Sequence, residues 1–444
     1  MAPSRAARPC APIRLTDSPR PRTFTAASVF AWAWLAVFLF EALTRSTVRP
    51  PHPAVLPMLA LTGLAYAWTI ERAAFSALLR RHAAIWWTLA LFIGMVAVAE
   101  VLAHARDVPG LAPFLPAPCW LVLCLPGLAV IVSDGPRLRF AVLLFAALSI
   151  WHFFATPFEA VTGMRLSWQP MELFPRDAGP LHYQASGLAW QVYYFTGLFL
   201  PLFYLAWGPI SEGRIVSRPQ LSVRDWGFVA MAWGLPAVCS QSRSAFAGTL
   251  AAGLLALAAW KRPTRLSTWL ALGMLVIVGG AGYAYLFSAN KSGLGLRLAY
   301  YELYFAESMK WPAVLVGHGF TLVPNEAMFV KGLTPLEHAH NDVIQTLFSW
   351  GAVALAAYVA FFISLLRLVW RDYLSRGRYW PACALLVFIP STVTDLGFQH
   401  FEKAAFLVLF TCWCMVFASR EARLTAGAGT RVPESPLAPK GNLQ

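Results

Sequence analysis

The most prominent pattern along the chain is a succession of apolar runs separated by short polar segments. A helix that crosses a bilayer needs ~20 mostly apolar residues, and runs of about that length recur along most of the chain. The pattern therefore predicts an all-α, polytopic membrane protein with about twelve transmembrane helices. These predicted spans begin near Thr23, Pro53, Ala83, Leu111, Phe140, Gly187, Trp226, Ala245, Thr268, Asp342, Tyr379 and Ala404.

Two segments interrupt this pattern because they are neither short nor continuously apolar. They are residues 156–186 and residues 288–341, and the second lies between the ninth and tenth predicted spans. Loops of this length in compact proteins are usually functional when they are ordered. In the longer segment, the stretch LGLRLAYYELYFAESM has apolar residues at helical spacing, which predicts an amphipathic helix near the membrane interface.

The composition agrees with a membrane protein. Hydrophobic residues make up 58% of the chain and charged residues only 13%, whereas a soluble globular protein carries roughly a quarter charged residues. The formal net charge of +14 would fit a nucleic-acid partner, but no basic stretch is long enough or suitably interleaved to form a binding groove. We therefore expect membrane lipids, and not nucleic acid, as partners.

The distribution of basic residues predicts the orientation in the membrane. With the N-terminus in the cytoplasm, most of the 35 Lys and Arg residues fall on the cytoplasmic side, as the positive-inside rule requires. Residues 1–22 then form a cytoplasmic basic tail and residues 23–424 a single transmembrane domain. Residues 425–444 form a cytoplasmic tail whose Gly, Pro and Ala content predicts disorder. The long segments 156–186 and 288–341 both face the outside, as periplasmic loops.

The cysteines carry no separate chemistry. The chain has seven, all in the N-terminal tail or in apolar segments, and an odd number placed in this way argues against a disulfide framework. Cys412 and Cys414 flank a tryptophan inside an apolar run, which favours packing over metal binding.

A polar stretch, LEHAHNDVIQTLFSWG, lies at the start of the tenth predicted span, at residues 336–351. Asp342 and Gln345 have the spacing of a capping box, with Asp342 as the N-cap. His340 then lies just outside the helix, where the positive end of the helix dipole disfavours an imidazolium. A neutral imidazole accepts protons, so His340 is a candidate general base; the alternative is that it caps the helix or lies at the headgroups.

A metal site is a second interpretation of the same stretch. In an extended segment His338 and His340 would point the same way, and His318 or Glu337 would be the third ligand. No recognised metal-ligand spacing joins these residues, so we expect neither a metal nor a cofactor.

Two arginines are candidates for binding an anion. Arg243 lies in SQSRSAFAG, in a turn between two apolar segments, and Arg297 lies on the predicted amphipathic helix. An arginine in or near the membrane is costly and usually has an anionic partner. Its planar fork donates two parallel hydrogen bonds to a phosphate. The alternative is that both side chains snorkel to lipid headgroups.

A further polar cluster lies at the outer end of the eleventh predicted span. Its members are Asp395, Gln399, His400, Glu402 and Lys403. Such groups hold sugar hydroxyls, but they also hold waters and neighbouring helices, and both interpretations stay open. Glu100 and Glu41 lie inside apolar runs and are weaker candidates.

Together these stretches resemble the O-antigen ligase family, which also includes O-antigen polymerases and protein O-oligosaccharyltransferases. HNDVIQTLFSWG is similar to the family's His-Asn signature, which ends here at Gly351, and SQSRSAFAG resembles its Ser-Arg turn. LGLRLAYYELYFAESMKWPAVLVGHGF resembles the second arginine segment, which leads to a Gly-x-Gly. The resemblance covers roughly residues 187–415, and it departs from the family pattern where Ala354 replaces a second glycine.

This resemblance implies an all-helical, metal-independent glycosyltransferase of the C type, in the bacterial inner membrane with its active site facing the periplasm. Its donor would be a glycan on undecaprenyl pyrophosphate, and the acceptor of the ligase branch is the lipid A-core oligosaccharide. His340 would be the general base of a direct, inverting displacement, while Arg243 and Arg297 would hold the pyrophosphate. The expected substrate-binding residues are His338, Asn341, Gln345, Asp395 and His318.

Other activities share these features. A polymerase would use a second lipid-linked glycan as the acceptor, and a protein O-oligosaccharyltransferase would use a serine of a polypeptide. The moderate length of the outer loop favours the ligase. A secondary transporter is a more distant alternative, because the candidate groups cluster at the outer face and no matching halves are evident in the sequence.

Overall fold

The computed structural model describes most of the predicted membrane domain. The described residues are 25–44, 54–104, 115–166, 175–178, 181–183, 185, 195–211, 235–237, 239–240, 242–260, 291–319, 339, 341–376, 378–393 and 400–429. Helices in this part of the chain are α1 Ala26–Thr44, α2 Val55–Thr69, α3 Arg72–Arg81, α4 Ala83–His104, α5 Ala117–Leu123, α6 Leu125–Ile131, α7 Gly135–Thr162, α8 Leu200–Ser211, α9 Arg243–Trp260, α10 Lys291–Ser308, α11 Ala313–Val316, α12 Asp342–Arg376, α13 Trp380–Val393 and α14 Phe401–Gly429.

Two irregular elements accompany the helices. A π-helical turn, Phe195–Phe199, precedes α8. A small antiparallel ribbon, formed by β1 Pro175–Ala178 and β2 Leu181–Tyr183, lies within the first predicted outer segment.

A multi-pass, helical membrane protein is confirmed at a coarse level. Within the described ranges, five helices are long and apolar enough to cross a membrane: α1, α4, α7, α12 and α14. The shorter helices α2, α9 and α13 and the pair α5–α6 are also apolar and begin close to other predicted spans, and the apolar helix α8 lies within the span predicted to begin near Gly187. The predicted spans that begin near Trp226 and Thr268 lie largely or wholly outside the described residues, so the count of twelve stays a prediction.

Helix α14 is the centre of the bundle, because nearly all residues of its apolar part are buried by other helices. It runs antiparallel to α13: Phe406 packs on Phe388 with 4.4 Å between ring centroids, and Phe417 packs on Trp380 at 5.5 Å. Peripheral helices instead expose large apolar side chains such as Trp87, which is 75% exposed. Apolar surface of this kind belongs against lipid.

Two other antiparallel pairs fix which helix ends lie together. Between α4 and α12, Phe92 packs on Tyr358 with 5.1 Å between ring centroids. Glu100 contacts Trp350, eight residues later in α4 and eight residues earlier in α12, so the two helices are antiparallel. In α9 and α13, the thiol of Cys383 donates to the carbonyl of Ala252 at 3.3 Å, and Gly248 lies against Val387. The starts of α12, α9 and α14 therefore share one end of the bundle with the ends of α4 and α13. We call this the Asp342 end.

Both predicted outer segments contribute described residues to the Asp342 end. The predicted amphipathic helix is present as α10, and Tyr304 on its buried face packs on Phe348 of α12 at 5.0 Å between ring centroids. From the first segment, the amide of Ala185 donates to the carbonyl of Cys239 at 3.2 Å, just before α9 begins. These contacts place described residues of both segments at the Asp342 end, and the prediction that both segments face the outside of the membrane stays a prediction.

Candidate functional site

The central feature of the Asp342 end is a break in α12 at Gly351. Its backbone, with φ 81° and ψ 176°, leaves the helical region and divides the helix. Carbonyls in the last turn before a helix ends need partners from outside the helix. Here the carbonyl of Phe348 accepts the amide of His318 at 2.9 Å, and that of Ser349 accepts the amide of Gly319 at 2.7 Å.

Three glycines allow this close contact between two backbones. Gly317, Gly319 and Gly351 have φ values of 75°, 80° and 81°, a region that residues with a Cβ rarely adopt. A Cβ at Gly317 would overlap the carbonyl of Ser349, and a Cβ at Gly351 would overlap the carbonyl of Leu315. The Gly-x-Gly motif and the signature glycine are thus two halves of one contact. The core accommodates the methyl group of Ala354, which is fully buried.

The predicted capping residue of α12 is wrong by one position. The side-chain oxygen of Asn341 accepts the amides of Val343 and Ile344, at 3.0 and 3.2 Å, so Asn341 is the N-cap. Asp342 is the first helical residue, and its carboxylate accepts the hydroxyl of Tyr358 at 2.6 Å. Asn and Asp are adjacent and cap about equally well, and the buried tyrosine decides between them.

Gln345 connects the polar stretch to the helix break. Its side-chain oxygen accepts the amide of Ala339 at 2.7 Å, and its side-chain nitrogen donates to the hydroxyl of Ser349 at 3.2 Å. The predicted capping box would have placed this oxygen on the amide of the N-cap residue. Instead, Gln345 fixes the backbone two residues before Asn341, between the two histidines of the stretch.

His318 is held by two neighbouring elements. Its Nε2–H donates to the carbonyl of Glu307 at 3.2 Å, and its ring stacks on Phe348 at 4.6 Å between centroids with a 28° angle. Within the described part of the chain, no group of three or more His, Cys, Asp or Glu side chains is arranged to hold a metal ion. Glu337, His338 and His340 lie outside that part.

Helix α9 begins at Arg243, immediately after a serine cap. The hydroxyl of Ser242 accepts the amide of Ala245 at 3.4 Å and lies 3.0 Å from the hydroxyl of Ser244. Arg243 thus occupies the first helical position, where the exposed amides of a helix N-terminus carry partial positive charge. A cation at this position adds to a field that attracts anions.

Residues 226–359 match the model of a known family, described as O-antigen ligase. The chain contains an O-antigen ligase family domain. A search of curated proteins finds no match to the chain.

The O-antigen ligase domain includes most of the structural elements that meet at the Asp342 end. The matched range includes the start of α9, helices α10 and α11, the Gly317–Gly319 segment and the Gly351 break. The family predicted from the sequence is confirmed over this range.

Several predicted site residues of this domain are not described at the side-chain level. The backbones of Arg243 and Arg297 are described, in α9 and α10, but their side chains are not. His338 and His340 of the domain, and Asp395 beyond its end, lie outside the described residues. The meeting of the base with the two arginines stays a prediction.

Two residues outside the matched range place ionisable side chains at the Asp342 end. Glu100 of α4 is buried and accepts the indole N–H of Trp350 at 2.9 Å. Arg165 follows α7, and burial lowers its pKa below the usual value while the Glu159 carboxylate acts in the opposite direction. The sequence indicates a role for Glu100 only through the position of its carboxyl group inside an apolar run. The sequence does not indicate the burial of Arg165, because that burial depends on how the loop folds.

Proposed function

We propose that this protein is a glycosyltransferase of the ligase type. It transfers a glycan from undecaprenyl pyrophosphate to a hydroxyl of the lipid A-core oligosaccharide, at the periplasmic face of the bacterial inner membrane. The observation that carries the proposal is the match of residues 226–359 to the O-antigen ligase family. Its support in the structure is that separate parts of this range meet at the Asp342 end.

The diphosphate of the donor is proposed to bind Arg243 and Arg297. The serine-capped start of α9 supports this role for Arg243, because a guanidinium next to a helix N-terminus gains from an anionic ligand. Arg297 belongs to α10, which packs on α12 beside the Gly351 break. Charge balance by two guanidiniums makes the undecaprenyl diphosphate a better leaving group without a metal ion.

His340 is the proposed general base. The residues on either side of it are fixed to α12, because the amide of Ala339 is bound by Gln345 and the side chain of Asn341 caps the helix. In the reaction, the acceptor hydroxyl oxygen bonds to the anomeric carbon while the bond from that carbon to the phosphate oxygen breaks. The hydroxyl proton passes to the imidazole, and the anomeric configuration inverts. A positioned base contributes about 10²–10⁴ in rate.

The remaining predicted site residues have proposed supporting roles. Asn341, Gln345 and His318 hold the backbone of the site through the hydrogen bonds described above, and we propose that they act on the substrates through that backbone. His338 and Asp395 are proposed to contact sugar hydroxyls.

The test uses purified protein in lipid nanodiscs with radiolabelled undecaprenyl-diphosphate glycan and three separate acceptors. Labelled lipid A-core supports the ligase, whereas labelled lipid-linked glycan or labelled polypeptide would support the polymerase or the protein-glycosylating branch.

The variant His340→Ala is expected to lose at least ~100-fold in transfer rate. The matched control is His82→Gln at the opposite end of the bundle, which should transfer normally. Full transfer by His340→Ala would remove this histidine from the mechanism, and counterflow of the donor without any glycan product would favour a transporter.

A further inference from the structure

Glu100 is an ionisable residue within an apolar, membrane-spanning helix. It lies near the end of α4, whose Ala83–Ala103 stretch is apolar enough to cross a bilayer, and it is only 2% exposed. A carboxylate in such a place is costly and usually has a function. Glu100 also lies outside residues 226–359, so the family match assigns it no role.

One oxygen of Glu100 holds the residue next to the helix break. Oε1 accepts the indole N–H of Trp350 at 2.9 Å, and Trp350 immediately precedes Gly351. The indole is fully buried and meets Phe92 edge to face, with 5.7 Å between centroids. Phe92 and Glu100 are eight residues apart on one face of α4, so this helix presents both a ring and an acceptor to Trp350.

The other oxygen of Glu100 faces the second half of the contact. Oε2 lies 3.5 Å from the position that a Cβ on Gly319 would occupy. Gly319 is the residue whose amide binds the carbonyl of Ser349. The carboxylate therefore lies where α4, the Gly317–Gly319 segment and the last helical turn before Gly351 converge.

A chain of hydrogen bonds connects this place to the polar stretch at the start of α12. Gly319 binds the carbonyl of Ser349, the hydroxyl of Ser349 binds Gln345, and Gln345 binds the amide of Ala339. These three bonds link the break to Ala339, the residue that follows His338 and precedes His340, so a shift of the break would displace the bonds that hold Ala339.

We propose that Glu100 is a positioning residue of the transferase site. By accepting the indole N–H of Trp350, it fixes the Gly351 break against α4 and so sets the position of the start of α12. The inference rests on the proposed function, since it assigns Glu100 a role in that reaction. It adds to the site a contribution from the N-terminal half of the chain.

Four variants test the proposal through turnover. Glu100→Leu and Trp350→Phe each remove one partner of the hydrogen bond, and the expected result is a fall in kcat of about tenfold to a hundredfold, since displacements of ~1 Å cost up to that much. KM for donor and acceptor should change by less than about threefold, because the binding groups remain. Glu100→Gln keeps an acceptor for the indole and should retain most of the turnover. The double variant, Glu100→Leu with Trp350→Phe, replaces both hydrogen-bond partners with apolar groups, a change that is often nearly neutral for stability. Its kcat should nevertheless be as low as in the single variants.

A control and a second measurement separate positioning from folding. Trp207→Phe removes an indole hydrogen bond of the same kind, 3.0 Å to the hydroxyl of Ser149, at a distance from the break. Its kcat should equal that of the wild type. Hydrogen–deuterium exchange should quicken at the amides of His318 and Gly319 in Glu100→Leu and not in Trp207→Phe.

The outcomes distinguish this inference from the proposed function. Wild-type kcat in folded Glu100→Leu, or a Glu100→Gln variant as slow as Glu100→Leu, would overturn the positioning role while the transferase stands. A wild-type protein without transferase activity would overturn the proposed function, and the exchange measurement would still report whether Glu100 holds the break. Loss of folded protein in all Glu100 variants, with normal kcat in the folded remainder, would mean that the bond serves folding only.

Discussion

The two ends of α12 are fixed in different ways. At the Asp342 end, Asp342 accepts a neutral hydroxyl from Tyr358, and the nearby break is held by backbone hydrogen bonds between glycine-containing segments. At the other end, Asp372 accepts both its described hydrogen bonds from the guanidinium of Arg378, at 3.2 Å, and this arginine is fully buried. The break depends on the close approach of two backbones, whereas the anchor at the other end is an ion pair.

This difference agrees with the proposal that the transferase site lies at the Asp342 end. The attraction within an ion pair changes only gradually with the distance between the two charges. Two backbones in contact, with no room for a Cβ, permit only one arrangement. The end with the stricter geometry is the end where we place the chemistry. Substitutions at the two ends should therefore have different consequences.

The largest effect is expected from Gly351→Ala. The new Cβ would overlap the carbonyl of Leu315, and the alanine would have to adopt φ 81°, which L residues rarely do. We expect a loss of at least ~100-fold in transfer rate, because the start of α12 moves away from its partners, together with a lower melting temperature. Gly253→Ala in α9 is the matched control, since nothing lies within 4 Å of its Cβ. Normal transfer by Gly351→Ala would contradict the shape-dependent anchor.

Asp372→Asn should reduce stability and spare turnover. Removing one partner of a buried pair typically costs about 3–5 kcal/mol, measurable as the free energy of unfolding in mixed micelles. The transfer rate per folded molecule should stay within about twofold of the wild type, since the site lies at the other end. In the control Asp134→Asn, the affected contact to Arg137 is longer, at 3.8 Å, and partly exposed, so the expected loss is below ~1 kcal/mol. Equal losses of kcat in Asp372→Asn and Gly351→Ala would abolish the distinction between the two ends.

Asn341→Ala tests the corrected cap with a smaller effect. Loss of an N-cap costs about 1 kcal/mol, and Asn341→Ser should restore it because serine caps well. If Asn341 acts only through the backbone, the serine variant also recovers kcat. A serine variant with normal stability and low kcat would instead show direct contact of Asn341 with a substrate.

The smallest effect concerns pH. His82, between α3 and α4, donates to or accepts from the hydroxyl of Ser419 at 3.1 Å. Burial, reinforced by the nearby Arg81, lowers the pKa of His82 from 6.5 to about 4. A histidine whose pKa is depressed in the folded state contributes stability above its unfolded pKa and loses it as pH falls from about 6.5 to about 4. The melting temperature should fall over this window less steeply in His82→Gln than in the wild type, and identical pH profiles would contradict the assignment.

Much of the fold was predictable because a membrane imposes a simple pattern. The five long apolar helices follow from runs of about twenty apolar residues, and α10 follows from its helical spacing. The predicted fourth span is divided in the structure into α5 and α6, with Pro126 in the first turn of α6. The count of spans was less predictable, because several apolar helices in the described ranges are shorter than a full crossing.

The site was predictable in its parts and not in its connections. The sequence contains the Gly-x-Gly at 317–319 and the signature glycine Gly351 as two separate motifs, and their spacing along the chain does not show that their backbones touch. The bond between Glu100 and Trp350 joins residues 250 positions apart, so neither periodicity nor local motifs could reveal it. The choice between Asn341 and Asp342 as the cap depended on a tyrosine sixteen residues further along α12.

One histidine and two arginines are proposed to surround a lipid-linked diphosphate at the Asp342 end. The most direct test is an experimental structure with undecaprenyl-diphosphate glycan bound. We expect guanidinium nitrogens of Arg243 and Arg297 at about 2.7–2.9 Å from diphosphate oxygens. The imidazole of His340 should face the anomeric carbon across a gap that fits one hydroxyl. A diphosphate bound elsewhere, or these three side chains on different sides of the donor site, would contradict it.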